Sequence, residues 1–361
     1  MPNYISSNAN RFYTAIESAY AQAAAITPAN RFPAIRLQAQ QVMEQSRRLD
    51  KTGTRTFLGS SQNARRRTAF QVRTYLTSWS GAGQPCYGPL FQAGLGGLPR
   101  LSTGLIISST VGSTGMQTVT SHGLSLGSAV SYAGEIRFVT SVPDASTFTL
   151  NAPFSQAPVA NSCLCPTLTY SLSTSLPSVT LYDYWDAASP ISRVITGAAV
   201  DTLDISVNGD YHDFAFAGPA ADILDASSFQ PGVAGLVSYP IEPIAGNFDY
   251  RAVPGHLGQV WLGQSPSQFF TLTDATVQIK NHLEVRQHEF GSCFPKAIVP
   301  GGRQVKSRFS LLVQDNAETK ALYTAAKQRN LISAMLQLGQ QQGQLMGIYM
   351  PSVIPEMPDY V

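Results

Sequence analysis

Two segments of alternating apolar and polar residues, joined through a Pro-Gly-Gly turn, constrain the fold more than any other feature of the chain. In residues 276–286 and 303–313 the apolar side chains share one face of each segment: Val277, Ile279, Leu283 and Val285 in the first, and Val305, Phe309, Leu311 and Val313 in the second. A period of two is typical of a β-strand that buries one face. Because Pro300, Gly301 and Gly302 supply the turn, the pattern predicts a long β-hairpin with one dry and one charged face.

The rest of the chain indicates a mainly β fold with one flanking helix. Its 29 glycines and 23 prolines separate short runs rich in Thr, Val, Ile, Tyr and Phe, which is the pattern of strands and turns. After the hairpin, Asp315 and Glu318 form a capping-box pattern, which predicts a helix within residues 314–330. The apolar stripe of this helix consists of Ala317, Ala321, Leu322 and Ala325. Two strands are predicted after it, around 331–338 and 343–350.

The N-terminal region has a different spacing. Apolar residues recur at helical intervals in two stretches: Phe12, Ile16, Ala19 and Tyr20, and then Leu37, Val42, Met43 and Leu49. Periodicity alone therefore predicts helices there.

Changes in amino-acid composition along the chain suggest how it is divided into domains. Residues 103–170 are rich in Ser and Thr, poor in charge, and have Gly turns between short strands, which predicts a small inserted β domain. The flanking segments 56–102 and 171–250 are assigned to a first unit, 251–361 to a second, and 1–55 to an N-terminal segment. The pattern of 195–207 is similar to that of 299–313, so the two units are interpreted as a possible duplication.

Charge is scarce and segregated. Charged residues make up 13% of the chain, about half of the usual ~25%, which suggests that other copies or partners cover much of its surface. Residues 31–73 carry a net charge of +8, residues 74–250 carry −9, and residues 251–361 carry +3. Such alternation predicts that complementary surfaces meet, either within the chain or between copies.

Several classes of protein are excluded. No apolar run approaches the ~18–20 residues that span a bilayer, and the N-terminus lacks a signal-peptide pattern, so no membrane anchoring is expected. The four cysteines, Cys86, Cys163, Cys165 and Cys293, give no disulfide framework. A sequence cluster of His282, His288, Glu289 and Cys293 matches no ligand spacing. Neither a metal nor a cofactor is expected.

Three segments together resemble the tail tube proteins of long-tailed bacteriophages. These are the opening 12–37, with Glu17-Ser18-Ala19-Tyr20 before a run of small residues, the β module at 118–150, and the hairpin, helix and closing strands of 276–350, with Gly339 and Gly347. The resemblance implies a β-sandwich or split-barrel subunit that closes into rings, which stack into a tube for genome delivery. It also implies that 1–55 is an extended arm rather than helical.

The resemblance further implies the surroundings of the protein. Its main partner would be itself, in hexameric rings or in trimeric rings with pseudo-sixfold symmetry, stacked helically. The tape measure protein and genomic DNA would lie within the lumen, and tail terminator and baseplate proteins at the ends. The protein would be located in the virion tail after assembly in the host cytoplasm, and 103–170 would decorate the tube exterior.

On this hypothesis, the candidate site residues are assembly positions. The ring-forming set is Val277, Ile279, Leu283, Val285, Val305, Phe309 and Leu311. The residues predicted to face the lumen are Lys280, Glu284, Arg286 and Asp204. The inter-ring electrostatic contacts are assigned to Arg65, Arg66 and Arg67. A conduit wall should be acidic or mixed in charge, because a continuous basic stripe would retain DNA through its phosphates.

Three other functions were weighed. Arg65–Arg67, Arg73, Phe70 and Tyr75 could form a basic, stacking surface for nucleic acid. The pairs Asp183/Asp186 and Asp210/Asp213 could serve as glycosidase carboxylates, but no catalytic motif accompanies them, so no enzyme is expected. The closest alternative is another tail component, such as a baseplate, terminator or receptor-binding protein whose insert binds a glycan through Tyr132 or Phe138.

Overall fold

The fold is mainly β, as predicted. The computed structural model describes residues 6–44, 50–51, 53–55, 64–80, 83–185, 191–244 and 250–359. In these residues the chain forms 25 strands and two α-helices, α1 (Gly88–Leu95) and α2 (Ala317–Gln328). Single-turn 3-10 helices lie at Ser7–Ala9, Pro28–Asn30 and Val233–Gly235.

The strands follow one another in four groups. Before residue 103 they are β1 (Arg11–Ile16), β2 (Arg31–Phe32), β3 (Ala34–Glu44), β4 (Arg65–Tyr75) and β5 (Arg100–Ser102). Residues 103–170 contain β6 (Leu105–Val111), β7 (Gly115–Thr118), β8 (Ala129–Tyr132), β9 (Glu135–Ser141), β10 (Thr147–Leu150), β11 (Cys163–Leu164) and β12 (Thr167–Thr169). Next come β13 (Val179–Tyr184), β14 (Arg193–Ala198), β15 (Thr202–Val207), β16 (Asp213–Ala220) and β17 (Asp222–Asp225). The last group is β18 (Gly258–Gly263), β19 (Ser267–Phe269), β20 (Leu272–Lys280), β21 (Glu284–Arg286), β22 (Ala297–Val299), β23 (Gln304–Leu311), β24 (Ile332–Gln341) and β25 (Gln344–Val353).

A six-stranded antiparallel sheet, here called the central sheet, organises the molecule. Its strand order is β23-β20-β15-β16-β4-β3. The predicted hairpin is confirmed in part, because β20 pairs with β23 and places Ile279 opposite Val305. The first strand of the hairpin ends at Lys280, however. His282 adopts a left-handed backbone at φ +48°, so Leu283 and Val285 leave the central sheet for the separate β21–β22 pair.

The helices predicted from spacing in the N-terminal region are wrong. Residues 11–16 form β1, in a five-stranded sheet of order β17-β14-β13-β1-β2, here called the covering sheet. Four successive residues of β1, from Phe12 to Ala15, are buried, so both of its faces pack and no period of two is visible. The segment is extended, but β1 and β3 pair within the chain's own sheets instead of forming a detached arm.

The helix predicted after the hairpin is confirmed as α2, with two differences. Its N-cap is Asn316 rather than Asp315, and the Asn316 Oδ1 accepts a hydrogen bond from the Thr319 N–H at 2.8 Å. Ala325 and Ala326 are buried, whereas Ala317 and Ala321 are exposed, so much of the predicted stripe has no partner in the subunit. Helix α1 was not predicted, because seven of its eight residues are buried and it has no polar face to reveal a period.

Two sheets cover the same face of the central sheet. The covering sheet and a four-stranded sheet of order β19-β18-β24-β25 share one apolar core with the central sheet and α1. On the central sheet this core takes up inward side chains such as Val72, Leu203 and Phe216. Within the described residues, no sheet or helix covers the opposite face of the central sheet, here called the bare face. Other elements therefore pack on one side of the central sheet only.

Residues 105–164 contribute a six-stranded sheet with an apolar core of its own, here called the insert sheet. It docks on the four-stranded sheet, where Phe138 stacks on Tyr349 with ring centroids 5.1 Å apart. Gly347 lies under the same ring, and a Cβ there would approach the Phe138 Cζ to 2.7 Å. Gly347 therefore makes close docking possible, which gives this glycine of the closing strands a structural role.

A buried arginine fixes this docking. Arg137 is fully buried, and its guanidinium donates to the Glu135 Oε2 at 3.2 Å, the Gln259 Oε1 at 3.1 Å and the Pro153 carbonyl at 2.8 Å. It also lies 5.0 Å from the Trp261 ring centroid. Burial lowers the pKa of Arg137 to about 10, against the charge of Glu135. Removal of Arg137 would leave the Glu135 carboxylate buried without its counter-charge.

We expect Arg137→Met to lower the free energy of unfolding by about 3–5 kcal/mol, because loss of one partner strands the other charge of a buried pair. The loss is measured by urea denaturation. Arg100→Met, at an exposed arginine whose side chain donates to the Ser125 Oγ, is the control and should change stability by about 0.5 kcal/mol or less. Equal effects of the two variants would contradict the role of Arg137.

Glu17, from the quoted N-terminal motif, is a second buried anchor. Its carboxylate accepts hydrogen bonds from the Ser178 Oγ, the Thr180 Oγ1 and the Gly197 and Ala21 N–H groups, at 2.6 to 2.9 Å. Burial raises the pKa of Glu17, and these hydrogen bonds only partly offset that shift. The motif thus fixes the turn after β1 against the covering sheet.

The stabilising contribution of Glu17 should depend on pH. Because its folded pKa is raised, that contribution is complete below the ordinary pKa of glutamate and is lost as pH rises through the folded value. We expect the difference in unfolding free energy between the native chain and Glu17→Gln to shrink over this rise. Denaturation at a series of pH values measures it, and a constant difference would contradict the assignment.

Candidate assembly interface

The bare face of the central sheet is polar and mixed in charge. Successive registers align one row of side chains across all six strands: Lys306, Gln278, Asp204, Ala215, Arg73 and Arg36. Within this row the Gln278 Nε2 donates to the Asp204 Oδ1 at 2.7 Å. Carboxylates and small residues lie in the middle strands. The outer strands carry Lys306 and Arg36, which form no ion pair with another described residue. The face therefore has no continuous basic stripe within one subunit.

The residues predicted to face a lumen divide between two places. Lys280 and Asp204 lie on the bare face, on neighbouring strands. Glu284 and Arg286 lie instead on β21, outside the central sheet, where their charged groups approach to 3.3 Å and stay largely exposed. The left-handed turn at His282 separates the two pairs, so the four residues do not line one surface.

The three consecutive arginines also divide. Arg65 and Arg67 point to the bare face, whereas Arg66 points to the other side, as the alternation of a strand requires. Arg66 pairs with Asp222 at 3.5 Å and Arg67 with Glu44 at 3.9 Å, and the Arg65 Nη1 lies 2.9 Å from the His288 Nδ1. All three have partners in their own chain and do not form one patch.

The segregated charges meet within the subunit at two points. The pair Arg66–Asp222 and the contact of Arg73 with Asp213 both join the basic segment 31–73 to the acidic segment 74–250. Some of the basic residues of 31–73 therefore pair with acidic residues of 74–250 within the same chain. These two contacts help to hold β4 against β16 and β17.

The two outer strands of the central sheet are long and unpaired on their outer edges. Strand β3 has eleven residues and β23 has eight, and no described strand pairs beyond either one. Both strands expose apolar side chains, with Met43 57% and Val305 41% accessible. Exposed edges with apolar groups are templates for pairing with another chain.

A large cleft opens next to β23. It has a volume of about 2430 Å³ and extends from β23, the hairpin β24–β25 and α2 to residues of the insert and to side chains on the bare face of the central sheet, such as Gln278. Apolar residues from β23, α2 and β25 line it: Val305, Phe309, Leu311, Leu322, Ile348 and Met350. The outer edge of β25, ten residues long, also lacks a described partner. Small-molecule pockets have only about 300–1,000 Å³, so the cleft suits a polypeptide segment.

The predicted ring-forming residues occupy three environments. Val277 and Ile279 are buried in the shared core, and Val305, Phe309 and Leu311 line the cleft. Leu283 and Val285 are half-buried on or next to β21, away from the hairpin. Among the seven residues, only the β23 residues are therefore accessible to a partner beside the central sheet.

The edge strand β3 was not predicted from the sequence. Its side chains do alternate, since Leu37, Ala39 and Gln41 turn inward while Gln38 and Gln40 are exposed. Glutamine occupies both faces, which hides the apolar period. The neighbouring strand β4 is charged and does alternate between polar and apolar residues through Phe70 and Val72. This alternation could have indicated a strand next to β3.

The residues weighed for other functions have structural partners. The buried Asp183 accepts from the Arg193 Nη2 at 2.5 Å, and Asp213 contacts Arg73, whereas Asp186 lies outside the described residues. Phe138, suggested for glycan binding, is buried between the insert and the four-stranded sheet; that suggestion is wrong for Phe138 because the ring forms the docking contact. Tyr132 is half-buried against Phe154.

The described part of the chain contains no group of three or more His, Cys, Asp and Glu residues that could hold a metal ion. None of its helices is long and apolar enough to cross a bilayer.

Comparison with known proteins gives no family assignment: no protein-family model matches the chain, and no curated protein sequence matches it.

Proposed function

We propose that the chain is a self-assembling structural subunit whose copies join along the edges of the central sheet into rings, and that the rings stack into a tube. The observation that carries the proposal is the pair of long, unpaired edges, β3 and β23, on one sheet. The role that the resemblance implies, a phage tail tube that conducts the genome, is the form of assembly we infer. The virion location and the tail partners belong to the same proposal.

Strand direction is compatible with such joining. All neighbours in the central sheet are antiparallel, and the strand number is six, so β3 and β23 run in opposite directions. If rotation brings β3 of one copy beside β23 of the next, the continued sheet stays antiparallel throughout. The contact is head to tail, because it uses two different surfaces, and such contacts generate rings when the rotation closes.

The directions in which the edge side chains point are also compatible with joining β3 of one copy to β23 of the next. On β3 the side chains of Leu37, Ala39 and Met43 point to the core side of the sheet. On β23 the same side carries Val305 and Phe309, which line the cleft. Leu37 is buried in the core of its own subunit, so the exposed Met43 is the apolar side chain that a second copy's β3, placed beside β23, would bring to the cleft. The same contact would pair the backbone N–H and C=O groups of β3 and β23 and would bury apolar residues that line the cleft.

The layered subunit gives this ring an inside and an outside. The bare face would line the channel, because the opposite face carries the covering sheet, the four-stranded sheet and the insert. Three copies would supply eighteen strands and six copies thirty-six, and barrels of about 16–18 strands already enclose an aqueous channel. Lys280 and Asp204 would then face the lumen.

We expect single charged substitutions at the two edges to impair assembly. In Met43→Lys and Val305→Lys an ammonium replaces an apolar group that the contact would bury, which should weaken association about tenfold or more, or ~1.4 kcal/mol. Electron microscopy of the native chain should show rings or tubes, and sedimentation should show the loss in both variants.

Val237→Lys is the matched control, since Val237 is 85% exposed and lies outside both edges. Assembly of the edge variants at the native level would contradict the proposed contact. Discrete trimers of the native chain, with no tubes, would favour the alternative of another tail component. A monomer at every concentration would refute self-assembly.

Salt dependence offers a second test. Arg36 on β3 and Lys306 and Arg308 on β23 lie on the bare face, and no ion pair joins them to another described residue. The proposed seam brings these cations close together. Screening should therefore strengthen association as NaCl rises from about 0.05 M to about 0.5 M. Sedimentation measures the change; weaker association at high salt would contradict the seam, and Arg36→Gln should flatten the response.

A further inference from the structure

The segment after β25 lines part of the cleft. Residues 354–359 follow Val353 directly and line the same cleft as Phe309 and Leu322. Ile354 and Met357 are each about half exposed, so their apolar side chains cover part of the cleft without being enclosed by it. We call residues 354–359 the tail.

We propose that the tail is a reversible plug, which competes with β3 of a second copy for the cleft and so delays self-assembly of the free subunit. This inference rests on the proposed function. It concerns the regulation of the same contact. A subunit that carries a ready interface needs some means of limiting premature association, and the tail is the segment that is placed to do so.

The composition of the tail suits a temporary occupant. Pro355 and Pro358 lie within it and Pro351 lies shortly before it, and proline has no N–H to donate to a β ladder. In the described residues, no hydrogen bond joins residues 354–359 to β23. The tail therefore shields apolar surface but leaves the β23 edge unsatisfied.

Strand β3 has what the tail lacks. Its eleven residues contain no proline, so they can supply backbone donors as well as the exposed apolar side chain of Met43. A second copy can thus make apolar contacts in the cleft and also form backbone hydrogen bonds with the edge of β23. The tail makes only the apolar contacts. Displacement of the plug is favourable once a second copy is present at sufficient concentration.

The test is truncation after Val353. When a competing segment closes the site in about nine of ten molecules, the apparent affinity falls about tenfold. We therefore expect the truncated chain to show a roughly tenfold lower critical concentration and a shorter lag in light scattering. It should also bind more of an apolar fluorescent dye as a monomer. A synthetic peptide of residues 351–361 should restore the delay.

The double variant Ile354→Ser/Met357→Ser should release the plug without shortening the chain, and Val237→Ser is the control at an exposed valine elsewhere. If the native chain assembles but truncation leaves the critical concentration unchanged or raises it, the plug is refuted and the edge contact stands. If neither the native nor the truncated chain assembles, the edge contact fails and the plug fails with it.

Discussion

The backbone N–H and C=O groups along the outer edges of β3 and β23 are the constraint on which the rest of the structure depends. Proteins usually limit such edges by making the outer strands short. The covering sheet ends in β2 and β17, of two and four residues, and the insert sheet in β11 and β8, again of two and four. The central sheet instead ends in strands of eleven and eight residues. The four-stranded sheet ends in β19 of three residues and β25 of ten, so among these described sheets only the central sheet has long strands at both of its edges. This contrast is why we propose the central sheet for head-to-tail self-association.

The layers follow from the same constraint. A sheet that continues into a neighbour must keep both edges accessible, so covering elements can pack only on its faces. Here they pack on one face, and the insert is fixed above them by a buried network around Arg137 and by the stacking of Phe138 on Tyr349. Because the polar groups of that network are paired, the insert has one defined position on the four-stranded sheet. In the proposed ring, the other face would line the channel.

Sequence patterns predicted the mainly β class, the pairing of β20 with β23, helix α2 and the closing strands; the hairpin shows a period of two and the helix a period of 3.6. They failed where burial removes the period. Strand β1 is buried on both faces, and α1 is buried along nearly its whole length. They also failed where one residue changes the backbone: His282 ends β20 and diverts Leu283, Val285, Glu284 and Arg286, although the alternation in sequence continues. The cleft could not be predicted from the sequence, because it is formed by segments that are far apart in the chain and no local pattern indicates it.

Amide hydrogen exchange measures the central claim most directly, because it reports the hydrogen bonding of the two edges themselves. At low concentration the outward amides of β3 and β23 should exchange rapidly, while those of the inner strands β15 and β16 are protected. As the concentration is raised through assembly, the amides of β3 and β23 should gain protection together and to a similar extent. Assembled protein in which both edges still exchange as in the free subunit, or in which only one gains protection, would contradict the account.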